Sequence, residues 1–561
     1  MIKTTLAHLT VLCSKRLFLV LFAFILFSGK SFPGGDDDVY TQINRNMDVF
    51  GKLYKEIMLD YVDEINGDKF VKAGIEGMLG TLDPYTNFLD ESRKDEVDLI
   101  TTGKYGGIGI SVGMKDSSII ITEILEGYSA QKEGLRKGDV ILEIDGNSLL
   151  DRKLGDVRAF TRGEPGTQLK IKIRRGEKEI DFKLTRQEIQ LKNVSYKGIM
   201  DGGIGYIKLE RFNKYAENEI IDAINEIRTK GEPGGIILDL RDNPGGLLDA
   251  AIGILSKFID KGNLLLTTKG RLLDSERKYF SNENPMIGKD IPLVVLINEN
   301  TASASEIVAG AIQDLDRGII VGTKSFGKGL VQVYAPLSYG NQLKITNQKY
   351  FTPSGRWIQS KNYFKDNKYG VFKPNPYFNQ SEFKTLNGRT VYAEGGITPD
   401  TLVDILKNNE LLEALYINDM YYKFAADYTI TNPDGSSFVM NDDIVSRFYF
   451  FLSTVPDFEF QTKAERELSH LKKEISDKQY SEKVNSYIAL LETELQTERL
   501  KDFDKSKPVM KRQIETEILK KYNKPEKIIT ETGMKEDEQL QAAISILKDK
   551  QLYNRFLQIA K

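Results

Sequence analysis

PLVVLINENTASASEIVAGAIQD, residues 292–314, holds a strand and a helix with one serine between them. Pro292–Asn298 is an apolar run bounded by turn signals, which predicts a buried strand. Ala304–Gln313 carries a helical apolar pattern. Ser303 therefore falls at or next to a helix N-terminus, where unpaired backbone N–H groups and the positive end of the dipole gather. A hydroxyl there suits a nucleophile, because a developing oxyanion would find donors already aimed at it. Ser303–Glu306 also reads as a Ser-x-x-Glu capping box, a purely structural alternative. Ser305 is a second candidate hydroxyl.

Working outward, strands at Gly205–Leu209, Gly235–Leu240 and Leu330–Tyr334 alternate with helices that follow Ala216 and Leu247. That alternation predicts an α/β core over residues 189–405. Upstream, GGIGISV, SIIITEIL, DVILEIDG and LKIKIRR are short β-like runs between glycines, so residues 101–188 predict a small β-rich domain. Residues 32–100 predict an N-terminal helical segment: Val49, Leu53, Ile57 and Tyr61 recur at four-residue spacing, LDPYT (82–86) makes a turn, and Asp36–Asp38 reads as an acidic linker. Residues 406–561 read as a highly charged helical region punctuated by Pro508 and Pro525, its charges on a solvated face. The fold class is multidomain α/β. At the start, Lys3, Lys15 and Arg16 precede the apolar run Leu17–Phe27, which marks residues 1–31 as an export signal. An uncleaved membrane anchor is the alternative.

Composition narrows the chemistry. Lys and Arg number 78 against 81 Asp and Glu, a net charge of −3, so no basic surplus points to nucleic acid. The chain has one cysteine, Cys13, and two histidines, His8 and His470. Cys13 and His8 lie in the leader. A Ser-His-Asp triad, a zinc hydrolase and a cysteine nucleophile all lack their raw material. No metal or cofactor is implied. A hydrolase built from this chain needs another base.

VGTKSFGKGLVQVYAPL, residues 321–337, offers one. Leu330–Tyr334 is strand-like, and Lys328, Leu330 and Gln332 share a face at period two. An ordinary lysine, with a pKa of about 10.4, is charged at neutral pH. Burial on an apolar wall would lower it, and Gln332 would orient the amine without adding charge. Gly322–Lys328 also fits G-x-x-x-x-G-K, but a phosphate loop needs Ser or Thr and a helix next, where this chain has Gly329 and a strand. In IILDLRDNPGGLLDAA (236–251) a strand runs into Gly245-Gly246, whose N–H groups would face a reacting oxygen. An ordinary tight turn is the alternative.

Read together, LRDNPGG, TASASEIVAGAIQD, FGKGLVQ, YFTPSGRWIQ and GGITPD, preceded by LDPYTNFLD, resemble the carboxy-terminal processing peptidases, also called tail-specific proteases, over about residues 40–405. The resemblance implies a crotonase-like α/β protease core with nucleophile Ser303, general base Lys328 and lysine-orienting Gln332. It implies oxyanion donors from the N–H of Ala304 and of Gly245 or Gly246. It implies that residues 101–188 are a PDZ domain, in which Tyr105, Gly106, Gly107, Ile108, Gly109 and Ile110 occupy the carboxylate-binding loop. Such a loop would hold free, apolar C-terminal tails, with the peptide adding a strand to the sheet edge. A β domain serving only as a spacer is the alternative. The expected protein is an exported, periplasmic endopeptidase, membrane-bound only if its leader is uncleaved, with oligomerisation open. A non-catalytic tail-binding scaffold is the competing function, and its mark would be loss of the serine, lysine or glutamine. An insertion between Gln359 and Gly396 and the long helical tail depart from shorter members.

Overall fold

The computed structural model describes residues 36–90, 93–115, 118–150, 152, 154–200, 202–361, 363, 382–393, 395–403, 409–432, 435, 437–455, 458, 460–478, 481–522 and 537–558. The expected export signal and residues 364–381 of the insertion lie outside the described residues. Two units are distinct, residues 1–80 and 81–561.

In the first unit, helices Asp36–Asp60 and Gly67–Leu79 are joined by a short turn. Asp36–Asp38, expected as a linker, instead opens the first helix, the end at which acidic residues are favoured. Asn66 caps the second helix, its Oδ1 accepting the Lys69 N–H at 3.0 Å. Tyr54 stacks on Phe70 with ring centroids 6.3 Å apart. Val49, Leu53 and Tyr61 stand exposed.

The second unit opens on the LDPYT turn and strand β1 (Asn87–Leu89), then a helix, Lys94–Thr102. The β-rich domain follows. β2 (Lys104–Gly107) pairs with β9 (Gln187–Gln190) as a separate ribbon. β3 (Ile110–Lys115), β4 (Ser118–Ile124), β5 (Val140–Ile144), β7 (Gln168–Arg175) and β8 (Lys178–Thr185) form a sheet in that order, with β6 (Asn147–Ser148) on β5. Leu169, Ile171 and Ile173 point into its core at period two, beside Ile108, Ile121 and Leu184. β3 is an edge strand.

The α/β core is a six-stranded sheet. Its strands are β10 (Val194–Met200), β11 (Ile204–Leu209), β12 (Gly235–Asp239), β15 (Leu293–Ile297), β16 (Ile319–Gly322) and β21 (Thr401–Leu402), in that order. Only β10 runs antiparallel to its neighbour. Helices Ala216–Thr229, Leu248–Ser256 and Ala304–Asp314 pack on one face against Ile207, Ile236, Leu238 and Val295. The other face, with Ile237, Val294, Leu296, Ile319 and Val321, is covered by helices Glu538–Lys548 and Lys550–Phe556 through Leu540, Ala543, Leu547 and Tyr553. Burial on both faces explains why these strands read as unbroken apolar runs.

A second sheet stands beside it, ordered β1, β18 (Gln342–Phe351), β13 (Leu264–Gly270), β14 (Arg277–Phe280), with β17 (Leu330–Pro336) also paired to β18. β19 (Glu382–Lys384) and β20 (Thr390–Tyr392) make a small hairpin. Helices Glu410–Ile417, Met420–Thr431, Asp442–Thr454, Lys463–Lys478 and Glu482–Lys521 gather around Leu411, Leu415, Phe424, Phe448, Met510 and Ile514. The last of these runs on through Pro508, one of the two prolines that punctuate this stretch of the sequence, and Pro525 lies outside the described residues. Among the described residues no helix is long and apolar enough to cross a membrane.

Candidate active site

β15 ends at Ile297, a short turn follows, and Ser303 caps the helix Ala304–Asp314 at φ 57°, ψ −116°. An L-residue at such a φ is strained by about 1–3 kcal/mol and persists only when its surroundings hold it. Three contacts hold it. Glu306 Oε2 accepts the Ser303 N–H at 2.9 Å, the Tyr350 hydroxyl donates to the Ser303 carbonyl at 3.3 Å, and the Ala302 N–H donates to the Asn243 carbonyl at 3.0 Å. Ser305 turns the other way: fully buried, its hydroxyl donates to the Asn243 carbonyl at 3.0 Å. Only Ser303 of the two lines the adjoining cavity of about 540 Å³, which Gly245, Gly246, Lys328, Gln332 and Tyr350 also line.

Glu306 does more than cap. Its Oε1 accepts the Gly327 N–H and the Ser325 hydroxyl, each at 2.6 Å, and its Oε2 also accepts the Lys328 N–H at 2.8 Å. One buried carboxylate therefore ties the backbone of residue 303 to that of residue 328. Burial pushes this carboxyl up, opposed by those four donors.

The paired glycines are not equivalent. The Gly245 N–H donates to Asn243 Oδ1 at 2.9 Å. The N–H groups of Gly246 and Ala304 make no hydrogen bond among the described residues. At Gly245, φ 95°, a Cβ would lie 2.8 Å from the Ala304 nitrogen and 2.9 Å from the Ser303 Cβ, so only glycine lets the turn approach the elbow.

Lys328 precedes β17. Burial first, and the Lys344 charge second, lower its pKa to about 8, against the pull of Glu306 and Asp83. No hydrogen bond or ion pair reaches its Nζ among the described residues; the amine lies 4.6 Å from the centre of the Tyr85 ring. Gln332, expected to orient it, is bound elsewhere: Nε2 donates to Thr346 Oγ1 at 3.1 Å. The pairing of β17 with β18 shifts by one residue between Val331 and Gln332, which interrupts the expected period-two face. LDPYTNFL, expected within the helical segment, lies here because β1 pairs with β18, Asn87 opposite Lys344. The residues missed in the sequence are thus Asp83, Tyr85, Thr346 and Tyr350. The Asp-Pro turn was the signal for the first two, but a turn does not say what it packs against.

In the β-rich domain, Ile108 and Gly109 link β2 to β3, and their N–H groups make no hydrogen bond among the described residues. The Ile108 side chain belongs to the domain core, and Gly109 adopts φ 84°. Tyr105 and Gly106 pair with Ile189 and Glu188, Gly107 with Gln187, and the Arg162 guanidinium covers the Tyr105 ring at 5.0 Å. Ile110 begins the edge strand β3.

Comparison with known proteins agrees with this layout. The model for peptidase family S41 matches residues 203–368, a PDZ domain model matches 106–185, and a model described as a probable PDZ-protease C-terminal helical domain matches 411–547. The chain is 36% identical over 329 residues to a carboxy-terminal-processing protease of Bartonella bacilliformis, covering 58% of this chain and 74% of that protein. It is 34% identical over 344 residues to a probable CtpA-like serine protease of Staphylococcus aureus, covering 61% and 66%. Among solved structures it is similar to the photosystem II D1 C-terminal processing protease, at 27% identity and a TM-score of 0.37, covering 63% and 92%. With the relative from Bartonella matched over most of its length, the chain belongs to the carboxy-terminal-processing proteases, the serine proteases of peptidase family S41.

Proposed function

We propose that Ser303 and Lys328 form the catalytic dyad of an endopeptidase that cuts proteins upstream of free C-terminal tails. One observation carries this reading. A single cavity receives a strained serine, an amine drawn down to about 8, and two backbone N–H groups unbonded among the described residues. Lys328 takes the Ser303 proton as Oγ attacks the scissile carbonyl carbon. The oxyanion formed is accepted by the N–H groups of Gly246 and Ala304. Collapse breaks the C–N bond, and the Lys328 ammonium returns its proton to the leaving amine. Water, activated by the neutral amine, then releases the acyl group from Ser303. Gln332 assists by holding Thr346 and the wall of the cavity.

The β-rich domain supplies the choice of tail. The N–H groups of Ile108 and Gly109 receive the terminal carboxylate, and the peptide pairs along the open edge of β3. The leader, residues 1–31, directs the enzyme to the periplasm. Ser303→Ala and Lys328→Ala are each expected to abolish shortening of a protein with an apolar free tail, read by mass. Turnover retained in either purified variant sinks the dyad. Amidating the tail is expected to weaken binding, and equal affinity for acid and amide removes the carboxylate-loop assignment.

A further inference from the structure

We propose that Tyr85, carried on the LDPYT turn, is a positioning residue that sets the protonation of Lys328 by forming a wall of its amine site. This rests on the dyad reading above and deepens it.

The geometry is specific. The ring centre lies 4.6 Å from Lys328 Nζ, and no polar side chain bonds that amine among the described residues. The residue is held at its backbone and at its hydroxyl. Asp83 Oδ1 accepts the Tyr85 N–H at 2.9 Å, and the Tyr85 and Tyr363 hydroxyls lie 3.2 Å apart. The turn is then sewn to β18: Thr346 Oγ1 donates to Asp83 Oδ1 at 3.1 Å, and the Thr346 N–H donates to Thr86 Oγ1 at 3.2 Å. β18 pairs in turn with β17, which starts two residues after Lys328. A segment more than two hundred residues away in the chain is thus built into the lysine's surroundings.

An aromatic wall acts on an amine in two opposed ways. Its face attracts the ammonium, which favours the charged form. Its bulk excludes water, which favours the neutral form. The other groups bearing on the amine are Lys344, which lowers its pKa, and Glu306 and Asp83, which raise it. Tyr350, buried on β18 and bonded to the elbow, stays protonated.

The two actions separate by substitution. Tyr85→Phe keeps face and bulk, so the acid limb of the kcat/KM profile is expected to stay in place. Tyr85→Leu keeps apolar bulk without the face, so the limb is expected to move down by about half a pH unit. Tyr85→Ala admits water, so the limb is expected to move up by about one unit. NMR titration of labelled Lys328 in the Ser303→Ala background reads the same order without turnover. Limbs and titrations that coincide with wild type in all three variants, whatever their rates, overturn the proposal. Should Tyr85→Ala fail to fold, the Phe and Leu pair decides alone. Failure of the dyad reading shows separately, as turnover retained in Lys328→Ala.

Discussion

Ser303 keeps a backbone conformation that costs energy, and Glu306 is one of the three groups that hold it. In Glu306→Gln an NH₂ would face some of the N–H groups and the hydroxyl that the carboxylate now accepts. Leaving one such buried donor unmatched costs about 1–3 kcal/mol. With Ser303 or Lys328 of the proposed dyad displaced, kcat is expected to fall by about tenfold to a hundredfold, which steady-state kinetics would show. Lys328 makes a second prediction. Its folded pKa of about 8 lies below the unfolded value of about 10.4, so the unfolded chain binds more protons between those values and stability rises with pH there. Lys328→Met, freed of a buried charge, is expected to melt above wild type at pH 7. That advantage should shrink toward pH 10 in a thermal scan. Much of this was legible in the sequence. The scarcity of histidine excluded a Ser-His-Asp triad, and the resemblance to the carboxy-terminal processing peptidases then pointed to Ser303 and Lys328 as the proposed pair. Which glycine of the pair has an N–H left unbonded among the described residues was not legible, because that depends on where the Asn243 side chain points.

At the scale of elements, the helix Ala304–Asp314 is buried along its whole length, so its polar residues must find partners inside. Asp314 meets Arg356 at 2.6 Å, both side chains with no exposed surface, and also accepts the Ser354 N–H and hydroxyl. Arg356→Ala would strand that carboxylate and is expected to cost about 3–5 kcal/mol, measured by urea unfolding. The core strands β11, β12 and β15 stand within one residue of their expected ends, because runs buried on both faces announce themselves, whereas the strand expected at Leu330–Tyr334 runs on to Pro336 and belongs to the second sheet. β1 could not be read that way. Three residues are too few to carry a period, and its partner β18 lies far along the chain.

For the whole molecule, the most consequential departure from expectation is the role of the last helices. The sequence shows a charged helical tail with a solvated face and does not show what its apolar side meets. Its final segment, Glu538–Phe556, instead covers one face of the core sheet, and the Tyr553 hydroxyl accepts the Leu293 N–H at 3.0 Å. Amphipathic spacing reveals that a helix has an apolar side, not which distant surface it will meet. A chain ending at residue 536 would bare Ile237, Val294, Leu296 and Val321. It is expected to aggregate on expression, whereas the full chain stays monodisperse by light scattering. The same closure has a temporal side. A ribosome emits the elbow and its lysine long before it emits the residues that seal the opposite face. A half-made molecule therefore carries residues 303 and 328 on a sheet whose second face is still bare, and the frame that holds them is completed only by the last helices.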